Sequence, residues 1–320
     1  KLLDTRQAKI QEHLNTVEAE IAMQSNDLEV KKSYVSTLIA QEQYRLAVAD
    51  TLTKAKILHM CIAQFDEGRI TQLQLNTVIA DRNTSVAYLQ EALAIQDQAY
   101  ATLFYFLGLD PQNAAAIQLT DSLPTLFQRY KMDNPIADTE NLNTQQKNLQ
   151  QQLNTLEIER LKKYFLPTIG LRAYYGANYY DNKFEIFKGK NWNGNSFVAL
   201  NLHFPIFENQ DQFKKINQLR LQKQITDLNY KDAQHKNNLD KITASKDAKS
   251  YQSKIDAAQA NLVLAEQTFK LTQDQFAEGK ILISELYEAN YAFQLAKNSY
   301  LQAAYQFILA QINVEALSKY

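Results

Sequence analysis

Few residues of this 320-residue chain have types and spacings that could do chemistry. Cys61 stands alone, which excludes an intrachain disulfide framework. His13, His59, His203 and His235 are scattered without metal-ligand spacing and read as surface or packing residues. No glycine-rich phosphate loop and no Ser/Cys–His constellation occurs, so neither an enzyme nor a bound cofactor or metal is expected. Among the carboxylates, Glu285 and Glu288 lie three residues apart and so on adjoining parts of one helix face. In a long polar helix such a pair is ordinarily a solvated face. A net charge of −1 offers no basic field for nucleic acid.

The elements that carry these residues follow from where glycine and proline are absent. Residues 1–67, 69–107, 206–278 and 280–320 contain neither, and they are rich in helix formers. At 1.5 Å per residue, a helix of some 65 residues is roughly 100 Å long. The breaks between these runs repeat. Gln64-Phe65-Asp66-Glu67-Gly68-Arg69-Ile70 returns 211 residues later as Gln275-Phe276-Ala277-Glu278-Gly279-Lys280-Ile281. A glycine there supplies the left-handed residue that ends one helix and reverses the chain. Each copy therefore reads as the tip of a helical hairpin, and the chain as two related halves.

Heptad lines support the hairpins. Leu14, Ile21, Leu28 and Val35 recur every seven, with Ile10, Val17 and Leu38 on the alternate line, which Gln24 and Lys31 interrupt. Ile79, Val86, Leu93, Tyr100 and Leu107 mark the returning helix. In the second half Ile255, Leu262, Phe269 and Phe276 face Leu286, Phe293, Tyr300, Phe307 and Val314, with alanines 289, 296, 303 and 310 between the latter. Large residues opposite small ones let antiparallel helices interlock. The expected organisation is a first long hairpin at 1–107, an irregular segment at 108–133, a helix at 134–163 opening on Asn134-Pro135, a β-hairpin at 164–207 and a second long hairpin at 208–320.

The stretch 164–207 replaces the helical pattern with a different period. Ile169, Leu171, Ala173, Tyr175, Ala177 and Tyr179 alternate with more polar neighbours, as do Val198, Leu200, Leu202 and Phe204. A period of two is a strand with one apolar and one polar face. Between the two lies a loop from Asp181 to Asn195, and Tyr164, Phe165, Tyr180, Phe184, Phe187, Trp192 and Phe207 gather towards the strand ends. The pair reads either as an antiparallel hairpin over a soluble core or as a transmembrane β-barrel hairpin with aromatic girdles. No apolar run is long enough for a transmembrane helix.

Two hairpins with Phe-x-x-Gly tips, Leu75 and Leu286 just beyond them, Asn134-Pro135, Leu166-Pro167 and Pro205-Ile206-Phe207-Glu208-Asn209 together resemble the TolC-like outer-membrane efflux protein family. The resemblance covers essentially the whole chain. It implies a mainly α fold of two long antiparallel coiled-coil hairpins with part of a transmembrane β-barrel, built by internal duplication. It implies a homotrimer in the outer membrane of a Gram-negative bacterium, with strands in outer-membrane lipid and helices in the periplasm. The partners it implies are a periplasmic adaptor protein and an inner-membrane transporter of a tripartite efflux or type I secretion system. The family has four strands per chain, whereas one pair is present here. By the internal offset, Lys1 aligns with Gln212, so a first helix and strand pair are expected upstream of Lys1 and a short segment after Tyr320.

The resemblance also assigns sites. Gly68, Arg69, Ile70, Gly279, Lys280 and Ile281 correspond to tips that meet the adaptor. Ile169, Leu171, Tyr175, Val198, Leu200, Leu202 and Phe204 correspond to lipid-facing strand positions. Glu285 and Glu288 correspond to acidic rings around the pore constriction, where carboxylates from three chains would favour cations. The first copy holds Gln74 and Thr77 at the matching places. Where the type member has a gating arginine this chain has Ile281, and its acidic partner is replaced by Gln74. Closure is therefore expected from packing near Phe276 and Ile281. A periplasmic coiled-coil adaptor without a channel of its own is the alternative, and it leaves the duplication around a strand pair unexplained.

Overall fold

The computed structural model describes residues 2–111, 119–130, 141–182, 187, 191–205 and 210–319. In chain order they form α1 (Leu2–Asp66), α2 (Gln72–Phe106), α3 (Leu123–Tyr130), α4 (Leu142–Lys163), β1 (Thr168–Tyr179), β2 (Trp192–His203), α5 (Gln210–Ala277) and α6 (Ile283–Lys319). The fold is mainly α, with one antiparallel strand pair among the described residues. The expected helix start at Asn134-Pro135, the stretch Ile206–Asn209 and Phe184 lie outside the described residues.

Helices α1 and α5 run 65 and 68 residues without interruption, as the absence of glycine and proline from them allows. Each ends in the same hydrogen-bonded turn. Gly68 N–H donates to Phe65 O at 2.9 Å and Arg69 N–H to Gln64 O at 2.8 Å; Gly279 N–H donates to Phe276 O at 3.0 Å and Lys280 N–H to Gln275 O at 2.9 Å. Both glycines are left-handed, with φ of 70° and 72°. This is the Schellman arrangement, which returns two N–H groups to otherwise orphaned carbonyls.

The chain divides into two compact units, residues 1–18 with 143–234, and residues 19–142 with 235–320. The second holds both tips and, among its buried clusters, two large apolar ones. One joins Ile57 and Cys61 of α1, Leu75 and Val78 of α2, Phe269 and Phe276 of α5, and Ile283, Leu286 and Ala289 of α6. Four helices share this core, so the two tips lie side by side, as the duplication implies. The Phe269 and Phe293 rings stack at 5.5 Å across α5 and α6. The other cluster joins Val35, Leu38 and Ile39 to Ile255 and to Leu301, Ala304, Phe307, Ile308 and Ile312.

Two readings change here. The stretch 108–133 contains α3, whose Leu123, Leu126, Phe127 and Tyr130 form one apolar face. Its proline falls in the first turn, where no helical hydrogen bond is lost. Leu123 and Leu126 are buried in the second cluster, and Phe127 stacks on Phe307 at 4.8 Å. On α2 the buried line is Val78, Ser85 and Ala92, one residue away from the expected Ile79, Val86 and Leu93; Ile79 and Leu93 are exposed. Small residues let α1 approach closely, and Thr51 Oγ1 donates to Ser85 O at 3.2 Å across that contact.

In the other unit α4 buries Leu149, Leu156 and Leu161 and is tied to α5 through polar side chains. Gln151 Nε2 donates to Asp227 Oδ1 at 2.6 Å and Asn154 Nδ2 to Thr226 Oγ1 at 3.2 Å. The Phe165 and Phe213 rings, flanking the strand pair in sequence, meet at 4.4 Å. Strand β2 begins at Trp192 rather than near Val198: Trp192–Ser196 pair with Tyr179–Tyr175, because β1 extends far enough to template them despite their Asn/Gly composition.

Candidate functional site

At the hairpin tips each glycine is flanked by an acid and a base that pair with one another. Arg69 Nε lies 2.9 Å from Glu67 Oε2, and Lys280 Nζ pairs with Glu278. All four side chains are exposed, so these pairs add little stability and leave charge at the surface. A Cβ at Gly68 or Gly279 would meet nothing within 4 Å. Glycine is required there by backbone conformation alone, not by crowding.

Beyond the glycines the two copies differ. In the first, Thr71 caps α2: Gln74 N–H donates to Thr71 Oγ1 at 3.3 Å, and Thr71 N–H donates to Gln74 Oε1 at 2.8 Å. Gln74 is thus part of a capping box. In the second copy the matching residues are Leu282 and Glu285. Leu282 is exposed and has no side-chain acceptor, so α6 begins without that cap. Glu285 lies in the first turn of α6, where the positive end of the helix dipole favours a carboxylate. Glu285 and Glu288 are both exposed, and among the described residues neither has an ion-pair partner within the protomer. Phe276 is 2% exposed within the tip core, and Ile70 and Ile281 pack half-buried against it.

The strand pair presents the second set of residues. Its register sets Ile169 opposite Leu202, Leu171 opposite Leu200 and Ala173 opposite Val198, so all six share one face. That face is bare: Leu171 is 74% exposed, Val198 76% and Tyr175 92%. Phe204, next along the line, is exposed too. The opposite face carries Arg172, Asn178, Asn193, Asn195 and Asn201, with Tyr174 and Phe197 stacked at 5.6 Å. Gly176 makes room for the Tyr174 hydroxyl, which a Cβ at this position would clash with. Tyr164, Tyr180 and Trp192 stand exposed near the strand ends. No described helix is long and apolar enough to cross a membrane.

A further group escaped the heptad reading. Asp50 and Lys54 of α1, Asp81 of α2 and Gln294 of α6 form a largely buried polar layer. Burial raises the Asp50 carboxyl above its ordinary range and lowers the Lys297 ammonium beside it. Burial also raises the Cys61 thiol to about 11, leaving it protonated in the tip core. The signal for the layer was present as polar residues at seam spacing, namely Asn290, Gln294 and Lys297 ahead of Leu301, Ala304 and Ile308.

Solved outer-membrane channels share this fold. The CmeC outer membrane channel of Campylobacter jejuni superposes with a TM-score of 0.81 at 15% identity, over 98% of this chain and 66% of that one. The MtrE outer membrane channel of Neisseria gonorrhoeae, in its open state, gives 0.78 at 15% identity over 99% and 71%. The VceC outer membrane protein of Vibrio cholerae gives 0.77 at 14% identity over 99% and 74%. The chain thus spans about two thirds to three quarters of the length of these channels. No curated protein matches it at the level of sequence. Residues 136–318, more than half of the chain, match the family described as outer membrane efflux protein, whose members are channels rather than enzymes. The chain belongs to the outer membrane efflux protein family.

Proposed function

We propose that the chain is a protomer of a trimeric exit duct, serving a tripartite efflux or type I secretion system. In this reading β1 and β2 contribute to a shared barrel wall in the outer membrane, and the helices extend into the periplasm. The observation that carries it is the strand register, which places Ile169, Leu171, Val198, Leu200 and Leu202 on one uncovered face and Arg172 and the asparagines on the other. A soluble hairpin buries its apolar face against a core. A barrel hairpin turns it to lipid and the polar face to a water-filled lumen. Tyr175 and Phe204 belong to the same lipid-facing set.

The tips are the docking and gating end of the duct. Gly68, Arg69, Ile70, Gly279, Lys280 and Ile281 meet a periplasmic adaptor, which links the duct to an inner-membrane transporter. Glu285 and Glu288, exposed and unpaired within the protomer, face the constriction and favour cations, while Phe276 and Ile281 close it by packing. The reading is tested by reconstituting the full-length protein in planar bilayers after fractionating cell envelopes. Trimers in the outer-membrane fraction with discrete conductance are expected. A protein recovered as a soluble species without conductance overturns the reading.

A further inference from the structure

The polar face of the strand pair is interrupted by an aromatic row. Three consecutive rows on it are Gly176 with Asn195, Tyr174 with Phe197, and Arg172 with Ala199. The Tyr174 and Phe197 rings stack at 5.6 Å with 23° between their planes, and they are 43% and 49% exposed. Side chains of strands ordinarily stand roughly perpendicular to the sheet. Tyr174 instead leans over the row of Gly176, where a Cβ would clash with its hydroxyl. Each neighbouring row has one small member, Gly176 or Ala199, so the rings form an open platform.

Exposed rings are poorly hydrated, and a planar aromatic group laid over them gains both burial and favourable stacking. The charge beside the platform has one sign. Arg172 is exposed one row away, roughly 7 Å along the strands. Neither β1 nor β2 contains an aspartate or glutamate, and among the described residues Arg172 has no ion-pair partner. Its planar fork of N–H donors matches a carboxylate with two parallel hydrogen bonds. A cationic aromatic would be repelled at the same place.

We propose that Tyr174, Phe197 and Arg172 form a binding site for planar aromatic carboxylates. The ligand ring stacks on Tyr174 and Phe197, and its carboxylate pairs with Arg172. The site is a property of the strand pair. Its consequence, that such solutes pause on their way through the duct, rests on the reading of this face as a barrel lumen.

Equilibrium binding of β-naphthoate to the full-length trimer in detergent, measured against micelles alone, tests the site. Tyr174→Leu and Phe197→Leu keep apolar bulk without a ring, and each is expected to weaken binding about fivefold. Arg172→Gln is expected to weaken it about tenfold while leaving the neutral β-naphthol unchanged. Gly176→Ala alters neither ring but displaces Tyr174, and is expected to weaken both ligands. Cyclohexanecarboxylate, which carries the charge without the aromatic ring, is expected to bind more weakly than β-naphthoate. Arg172→Gln lies at an exposed position and leaves the sheet intact, so the test survives if a ring variant fails to assemble. No β-naphthoate binding by wild type, or wild-type affinity in Arg172→Gln, overturns the site. Wild-type affinity in both leucine variants does so as well. Block of single-channel current by β-naphthoate in planar bilayers then reads its place in the duct. Binding that follows these variants in a protein without conductance leaves the site standing and removes the lumen reading. Discrete conductance without binding does the reverse.

Discussion

Thr71 and Gln74 exchange two hydrogen bonds at the first tip, and their counterparts 211 residues later, Leu282 and Glu285, exchange none of that kind. The tip turns themselves repeat bond for bond. Divergence begins immediately after them, where the first copy spends its polar side chains on capping α2. The second leaves a carboxylate exposed in the first turn of α6. A duplicated scaffold has thus kept its turns and given different surfaces to the two helices that leave them.

Leu282→Thr restores the missing cap and, with Glu285 three residues on, completes a Thr-x-x-Glu capping box. Stability is expected to rise by about 1 kcal/mol, and Thr71→Ala at the first tip to lower it by about the same amount. Urea unfolding of the two variants beside wild type measures both. Equal midpoints for Leu282→Thr and wild type would mean that α6 is already capped by other means.

Much of this arrangement is legible in the chain. Gly68 and Gly279 announce the tips because a left-handed residue in a glycine-free run has few other uses. The strand pair is visible because a period of two differs plainly from 3.6. Helix α3 is hidden because its proline, beside a polar surround, reads as loop until the helix's apolar face is seen to have a core to meet. The seam of α2 is misplaced because spacing finds large residues, whereas the close contact with α1 uses Ser85 and Ala92. The Asp50 layer is passed over for a related reason: polar residues at seam positions look like gaps in a heptad line rather than members of it.

The lipid-facing assignment predicts a strong asymmetry between the two strand faces. Leu171→Arg places a charge on the apolar face and is expected to destabilise the membrane-inserted trimer by about 2–4 kcal/mol if it lies near the bilayer midplane. Asn201→Arg, on the opposite face of the pair, is expected to leave assembly unchanged. Heat-dependent dissociation of trimers folded into vesicles reads the difference. Equal effects on the two faces would contradict the proposed orientation.

For Glu285 and Glu288 the expectation is electrical. Changing both to glutamine removes two negative charges per protomer while keeping size, and should lower cation selectivity and block by multivalent cations. Reversal potentials across a salt gradient measure the first and added multivalent cation the second. Selectivity equal to that of wild type would return these residues to an ordinary solvated face, with Glu285 serving only the N-terminus of α6.

The Asp50 carboxyl supplies a pH dependence with a definite sign. Burial is the largest influence on it and outweighs the attraction of Lys54, so its folded value lies above its ordinary 3.8. The folded state therefore binds this proton more tightly than the unfolded chain does. Its contribution is complete below the ordinary value and is lost as pH rises through the raised one. At neutral pH the ionised carboxylate weakens the packing of α1 against α6. Asp50→Asn keeps an acceptor for Gln294 and removes that charge, while Lys54 retains Asp81. The variant is expected to be more stable than wild type near pH 7, with the difference shrinking to nothing below about pH 4. Paired unfolding curves across that range cancel the contributions of the other carboxylates, which titrate in both proteins. A variant less stable than wild type at pH 7 would show that the Lys54 pairing dominates, reversing the sign.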